Sequence, residues 1–265
     1  MFNKSVAIAK NTLQEYFAYQ VNFISWRLQV LTSFLIFYFL WYTLSADHSH
    51  IGTYSRTAIF TYFMIGYILR ALVFSTRTAD LAGYITSGQL STLLLKPQST
   101  ISFLAGRDVT DKLFNLGFMV FEFTGLVLIL RPSLSFPGPS LALLFALSLV
   151  LAIVLFFVYS LVISTFAFWT DQPWSSRWLF GIVFINIFSG QNIPLDLLPS
   201  PILRILNFTP YPYFYYYPLK LWLGELPAAD IIRLFARLVI FTVATGLFAL
   251  WLWRRGLKKY QAYGN

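Results

Sequence analysis

Two ionisable residues stand inside apolar stretches of this sequence, where charge is costly and usually has a role. Glu122 follows Lys112 by ten residues, about 15 Å at the helical rise, and Arg70 precedes Arg77 by seven residues, about 10 Å. The chemistry open to Glu122 is a substrate path or a proton relay. The alternatives are a structural pair between Arg70 and Glu122, or an Arg70 side chain that snorkels to the membrane surface. The scarcity of other buried charges favours the structural reading.

The rest of the chain offers little catalytic chemistry. His48 and His50 share a loop with Asp47, but His-x-His beside one acid lacks the ligands that complete a metal shell, so a polar loop is predicted. The sequence has no G-x-x-x-x-G-K-[ST] phosphate loop, no serine nucleophile elbow and no metalloprotease motif. Cysteine is absent, which excludes disulfides and thiol chemistry. We therefore expect no catalytic residue, no metal and no cofactor in this chain itself.

Aromatic residues recur at helical spacing in two apolar stretches, at Phe60, Phe63 and Tyr67 and again at Phe184 and Phe188. They are candidates for a path taken by flat or hydrophobic molecules, including organic cations held by ring faces. Lipid contact or helix packing is the alternative. Because aromatics make up 20% of the whole chain, packing is favoured.

The composition places the chain in a membrane. Apolar residues make up 58% and charged residues 11%, whereas soluble domains carry about 25% charged residues. Mean hydropathy is +0.67. The 265 residues suit about six spans of roughly 20 residues, so one membrane domain covering 1–265 is expected. The net charge of +9 matches anionic lipid head groups better than nucleic acid, which is not expected as a partner.

The apolar stretches predict six spans, both termini in the cytoplasm and a surface helix over residues 1–22. The span predictions are 25–44, 57–76, 113–131, 141–168, 174–190 and 234–253. With the termini inside, most of the Lys and Arg residues near span ends lie inside, with Arg27 and Arg70 near inner span ends, in accord with the positive-inside rule. A multi-pass protein of the cytoplasmic or inner membrane is expected.

The segment 191–233 is apolar but broken by prolines, so it cannot be one spanning helix. Short helices that dip into the outer leaflet and return satisfy both features, provided that their broken backbone is buried against protein. Its aromatic residues are then expected at the outer interface. These residues are Tyr211, Tyr213, Tyr215, Tyr216, Tyr217 and Trp222.

The loop 77–112 between the second and third spans is more elaborate than a connector requires. Its leucines Leu90, Leu93 and Leu94 fall on one helical face, and Pro97 marks where that helix stops. An unpartnered leucine face is an exposed apolar patch, which favours docking of a partner over a solvated connector.

Three blocks of sequence stand out along the chain. The first consists of Gly88, Leu90, Leu94, Lys96 and Pro97. The second runs from Ile193-Pro194-Leu195 through Pro199 to Phe208-Thr209-Pro210 and Pro218-x5-Gly224, and the third is Arg255-Gly256-Leu257-Lys258-Lys259-Tyr260 with Gly264. In order, they resemble the G-x-L-x-x-x-L-x-[KR]-P loop after the second span, the broken outer segment and the basic tail of the permease subunits of type-2 ATP-binding-cassette exporters. Gln89 departs from the pattern, because an acidic residue is common there in relatives.

This resemblance implies an all-α integral membrane protein with six transmembrane helices, an amino-terminal surface helix, a cytoplasmic coupling helix and re-entrant helices before the last span. It implies a permease that pairs with itself or a sister permease, as in bacterial drug and antibiotic export. Two copies of a separate ATP-binding subunit, which carry ATP and Mg, would dock on Gly88, Leu90, Leu93, Leu94, Lys96 and Pro97.

Three functions remain in competition at this stage. The first is efflux of a hydrophobic or amphipathic compound through a path formed with the second permease, in contact with membrane lipids. The second is a secondary transporter coupled to protons through Glu122. The third is a membrane scaffold that transports nothing.

Overall fold

The computed structural model describes residues 2–46, 50–170 and 172–260, with side chains described from residue 6. Within these ranges the chain forms thirteen α-helices and one small hairpin. The long helices are α1 (Phe2–Ala18), α2 (Gln20–Leu44), α3 (Arg56–Val73), α6 (Thr100–Leu130), α7 (Pro139–Thr165) and α13 (Ala228–Lys259). The short helices are α4 (Asp80–Thr86), α5 (Leu90–Leu94), α8 (Pro173–Trp178), α9 (Phe184–Phe188), α10 (Ser200–Leu206), α11 (Tyr211–Phe214) and α12 (Tyr216–Trp222). The hairpin pairs β1 (His50–Ile51) with β2 (Tyr54–Ser55) in antiparallel register.

Five of the described helices are long and apolar enough to cross a membrane: α2, α3, α6, α7 with its 3₁₀ extension to Phe168, and α13. They confirm an all-α membrane protein and correspond to five of the six predicted spans. The predicted span 174–190 differs. It is α8, a π-helical turn over Leu179–Val183, and α9, which together cover 16 residues, 173–188. Sixteen residues reach about 24 Å, less than the roughly 30 Å hydrocarbon core, so this helix alone is too short for a straight span.

Local chemistry sets the ends of the long helices. The Ser55 hydroxyl caps α3 by accepting from the amide of Ala58 at 3.2 Å, and the Ser99 hydroxyl caps α6 by accepting from the amide of Ser102 at 3.2 Å. At the other end of α6, Arg131 adopts a left-handed backbone with φ of 46°. The loop 77–112 is therefore shorter than predicted, because α6 already begins at Thr100.

The amino-terminal helix α1 lies against α6. Tyr16 stacks on Phe114 with ring centroids 4.5 Å apart, and the Thr12 side chain is buried. Val6 and Phe17 stay exposed, as expected of a helix with one face free for a membrane surface. The predicted surface helix 1–22 is thus two elements, since α2 begins at Gln20.

The segment 191–233 folds into broken helices, as its prolines predict: a 3₁₀ turn, then α10, α11 and α12, before α13 begins. A buried ionic contact anchors it, because the Lys220 ammonium lies 2.8 Å from the Asp196 carboxylate and also contacts Glu225. Tyr54 of the hairpin donates to the same Asp196 at 2.9 Å. The outer location of this segment stays a prediction.

Several tyrosines of this segment are buried in the protein core, and their location at the outer interface stays a prediction. Tyr213, Tyr215 and Tyr216 are at most 4% exposed and pack with residues of α3 and α7. Their rings fill the space that the short, kinked helices leave between the long ones. The sequence shows that these tyrosines have both a polar and an apolar part. It does not show which residues their rings pack against.

A second, smaller core lies under the loop and joins α4, α5 and α6 to the ends of α7 and α13. Gly256 of α13 lies directly against the Phe168 ring in this region, where an added Cβ would overlap the ring. Only glycine allows that ring to lie flat against the helix backbone.

We expect Gly256→Ala to destabilise the protein by about 1–3 kcal/mol, because the methyl group overpacks the contact with Phe168. The matched control is Gly246→Ala in the same helix, where the added Cβ meets only Val158 at 3.9 Å. That variant should be neutral or more stable by up to about 1 kcal/mol, from helix propensity. Thermal unfolding of both variants in detergent measures the difference. Equal melting temperatures would contradict the packing of α13 on Phe168.

Candidate functional site

Five ionisable side chains meet where α1, α4 and α6 come together beside the loop. This charge cluster consists of Glu15, Arg77, Asp80, Arg107 and Asp111. Arg77 donates to Asp111 at 2.9 Å and lies 3.8 Å from Glu15, and Arg107 lies 3.2 Å from Asp80 and also contacts Glu15. Burial raises the pKa of Asp80, and the guanidinium of Arg107 opposes that rise. Each carboxylate of the cluster thus has an arginine partner.

The loop segment between α3 and α4 is held against α6 by further polar contacts. The backbone amide of Arg77 donates to Asp108 at 3.1 Å, and the Lys112 ammonium lies 3.3 Å from the same carboxylate. Lys112 also donates to the backbone carbonyl of Ser75. Because these partners are buried, the start of the loop is held in one position on α6.

The intramembrane partner of Glu122 is Arg27, which corrects the predicted Arg70–Glu122 pair. The Arg27 guanidinium donates to Glu122 through two nitrogens, with Nε 2.8 Å from Oε1. Tyr67 of α3 donates to the same carboxylate. Depth estimates along single helices brought Arg70 and Glu122 to similar depths, but they cannot show which helices are neighbours. Arg70 makes no ion pair and no hydrogen bond with the described residues.

The two sets of charges are connected through Asn115. Its amide nitrogen donates to Asp111 at 3.0 Å, and its oxygen accepts from Arg27 at 3.1 Å. A continuous polar chain therefore runs from Glu122 through Arg27, Asn115 and Asp111 to Arg77. It joins α2, α3 and α6 of the apolar bundle to the charge cluster at the loop.

The loop presents only part of its predicted leucine face. Leu90 and Leu93 are buried in the small core, which corrects the expectation that they stand exposed with Leu94. Leu94 is 44% exposed and Leu95 is 87% exposed. The physical reason is that α4 and α6 cover one side of the five-residue helix. We call the exposed run Leu94–Pro97, which includes Lys96, the loop edge.

The backbone around the loop edge is held by glycine and by the carboxyl-terminal tail. Gly88 has a φ of +76°, a left-handed backbone conformation that residues with a Cβ rarely adopt. The turn that it forms leads directly into α5. The hydroxyl of Tyr260 donates to the Gly88 carbonyl at 3.0 Å. Two of the sequence blocks, the loop and the tail, therefore touch each other.

A sequence model of the family described as ABC-2 family transporter protein matches residues 30–264, most of the chain. The chain belongs to the ABC-2 transporter family. It is thus a permease subunit and a multi-pass membrane protein, in agreement with its five long apolar helices. A search of curated proteins found no match.

The aromatic residues predicted to line a path occupy two kinds of site in this permease. Phe60, Phe63 and Tyr67 are at most 4% exposed and pack against aromatic residues of α2, which makes them core residues in this conformation. Phe184 and Phe188 are half-buried and stack edge-to-face with ring centroids 5.4 Å apart. A role in a substrate path stays a prediction for all five.

The structure describes only part of the loop that contains the two histidines. Asp47 and His48 lie outside the described residues, and His50 belongs to the hairpin strand β1. Across residues 2–46, 50–170 and 172–260, no group of three His, Cys, Asp or Glu side chains could hold a metal ion.

Sequence reasoning missed the charge cluster and the role of Arg27. The signal was present for two members: Asp80 and Asp111 are acids in a chain with few acids, and both lie near predicted inner span ends shortly after an arginine. An excess of neighbouring opposite charges at one depth predicts ion pairs between helices, although not their partners.

The Arg27–Glu122 pair predicts a non-additive double-mutant cycle. Glu122→Gln or Arg27→Met alone should cost about 3–5 kcal/mol, because each leaves its partner as an uncompensated buried charge. The double variant should lose less than the sum, with a coupling of about 0.5–3 kcal/mol. The free energy of unfolding in mixed micelles measures this.

The control cycle pairs Arg70→Met with Glu122→Gln, and its effects should add within about 0.5 kcal/mol. Additive effects of the Arg27 and Glu122 changes, with coupling in the Arg70 cycle, would contradict the observed pairing.

Proposed function

We propose that this permease is the membrane subunit of an ATP-driven exporter, which binds two separate ATP-binding subunits at the loop edge and forms its substrate path with a second permease. The observation that carries the proposal is the loop edge itself. It presents exposed leucines on a helix whose other side is locked into the permease core. An exposed apolar patch with a fixed backbone is a typical docking surface.

The permease contains a physical route from the loop edge to the apolar helices. Leu90 and Leu93 belong to the same small core as Leu161 of α7 and Leu252 of α13, so a push on α5 is passed through this core to both long helices. The start of the loop is tied through the charge cluster to α1 and α6. ATP-driven closure of the docked subunits would thus move several helices together.

The proton-coupled alternative relied on Glu122 as a carboxyl group that takes up and releases protons. In the structure two nitrogens of Arg27 and the hydroxyl of Tyr67 hold this carboxylate. These contacts fix the carboxylate between α2, α3 and α6. This arrangement favours a structural role for Glu122. The scaffold alternative differs from the exporter only in the absence of flux.

The orientation follows from the docking proposal. Since ATP is in the cytoplasm, the loop edge and both termini would face the cytoplasm, in a bacterial inner membrane. Substrate then leaves toward the side of the broken helices. ATP and Mg are bound by the partner subunits, and the permease supplies no catalytic residue.

Isolation of the native complex in mild detergent, with mass spectrometry of every subunit, tests the proposed function. We expect a co-purifying ATP-binding subunit, and export from proteoliposomes that stops when its catalytic glutamate is replaced. Flux that persists without ATP and collapses with the proton gradient would support the secondary transporter instead. A bound partner without any flux would support the scaffold.

Leu94→Asp should reduce the amount of co-purified ATP-binding subunit at least about tenfold, because it places a charge in an apolar contact. Membrane insertion and the yield of folded permease should stay unchanged, since Leu94 is exposed. Gln89→Glu is the matched control: it adds the same charge five residues earlier, outside the loop edge, and should keep the complex intact. Normal assembly of Leu94→Asp would contradict the docking site.

A further inference from the structure

Arg70 is a charged residue without a counter-charge. It lies about 21 Å along α3 from Arg56, by the rise of fourteen helical residues. Among the described residues no carboxylate lies within ion-pair distance of it, and no hydrogen bond holds its guanidinium. By contrast, the charged side chains of α6, such as Glu122, are each in an ion pair. A half-buried arginine in an apolar bundle normally has a partner or a function.

The side chain of Arg70 lines a cavity of about 280 Å³ between α2, α3, α7 and the short helix α8–α9. Neutral polar groups from three of these elements face the same space, including Gln29, Ser160, Ser164 and Asn186. None of the described residues that line it is acidic. The cavity therefore carries positive charge and hydrogen-bonding groups, but it has nothing to neutralise that charge.

The cavity is also lined by apolar and aromatic side chains, among them Trp26, Phe74 and Phe156. A ligand that satisfies both sides has one anionic group and a flat or aliphatic body. Such division between a few placed polar groups and apolar walls is usual in small-molecule sites.

A second arginine stands at the boundary of this cavity. Arg177 also has no carboxylate within 4 Å among the described residues, and its guanidinium lies 5.9 Å from the Trp174 ring. It lines both the Arg70 cavity and a neighbouring cavity of about 370 Å³. The neighbouring cavity opens beside the charge cluster, whose acids are paired with Arg77 and Arg107. Arg70 and Arg177 are thus two cations without an ion pair to any described residue in the walls of the Arg70 cavity, and Asp80 of the charge cluster is the acid whose charge acts on Arg177.

We propose that the Arg70 cavity binds the anionic head of an amphipathic molecule, with Arg70 as the main contact and Arg177 as a second cation near its entrance. Carboxylate, sulfonate and phosphate groups match the donor fork of a guanidinium. The inference rests on the proposed function and names its substrate class: the exporter carries amphipathic anions. Organic cations, which the aromatic residues of α3 first suggested, are disfavoured at this site.

Two fluorescent probes that differ in one charged group test this inference. They are 8-anilinonaphthalene-1-sulfonate and its neutral parent N-phenyl-1-naphthylamine, titrated into the permease in phosphatidylcholine nanodiscs. We expect Arg70→Gln to weaken binding of the sulfonate about tenfold, or about 1.4 kcal/mol. The affinity for the neutral probe should change less than about twofold, which corresponds to a free-energy difference well below about 1.4 kcal/mol.

Two further variants control for folding and for general charge. Arg70→Lys keeps the positive charge and should retain most of the sulfonate affinity. Arg233→Gln removes an exposed arginine whose nearby partner is Asp230, far along the sequence from the cavity, and should leave both probes unaffected. Sulfonate binding that is equal in wild type and Arg70→Gln, or a loss of the same size for both probes, would overturn the proposal.

The anion can come from a membrane lipid or from a free amphiphile, and a second set of nanodiscs separates these sources. Addition of phosphatidylglycerol to the phosphatidylcholine should weaken sulfonate binding if lipid heads reach Arg70. Unchanged affinity would assign the cavity to free amphiphiles. Both outcomes keep the anion site, provided that its affinity depends on Arg70.

This binding assay uses the permease without its partners. Its result therefore does not depend on whether the proposed function is correct. Loss of ATP-dependent export with intact Arg70-dependent binding would count against the exporter alone. Intact export with no effect of Arg70→Gln on sulfonate binding would count against the anion site alone.

Discussion

The contact between Arg27 and Glu122 is the constraint on which the arrangement of the apolar helices depends. Lipid provides little hydrophobic force that draws helices together, so their mutual positions depend on packing and on polar contacts. Here one carboxylate on α6 accepts from Arg27 on α2 and from Tyr67 on α3. Three helices meet at this point, because separating α2 from α6 leaves two buried charges without a partner and separating α3 removes a hydrogen bond from the carboxylate. Asn115 then extends this point to the charge cluster.

The same polar chain helps to hold the backbone of the loop edge in place. A docking surface transmits force only when its backbone is held, and α5 is held on two sides. Its buried leucines pack with α7 and α13, while the segment before it is paired through Arg77 and Lys112 to α6. The Arg70 cavity lies between helices of this connected set, and it shares its boundary with the cavity at the charge cluster. Displacement of the loop would therefore alter the walls of the cavity.

Composition and apolar stretches were enough to predict an all-α membrane protein, five of its long helices and the broken segment after residue 191. Leu94 could be placed on a short helix of the loop, because proline and glycine mark the ends of that helix. Side-chain partners could not be predicted. Arg27 and Arg70 are equivalent in a one-dimensional pattern, and only the packing of α2 against α6 makes Arg27 the partner of Glu122. Likewise, the burial of Leu90 and Tyr215 depends on contacts distant in sequence.

The most direct test of the central claim is photo-crosslinking from the loop edge in the native complex. A photoreactive phenylalanine analogue at Leu95, which is 87% exposed, should crosslink an ATP-binding subunit that mass spectrometry identifies. The same analogue at Phe136, which is 70% exposed between α6 and α7, should not. Crosslinks from Leu95 to lipid alone, or to the ATP-binding subunit from Phe136 instead, would contradict the account.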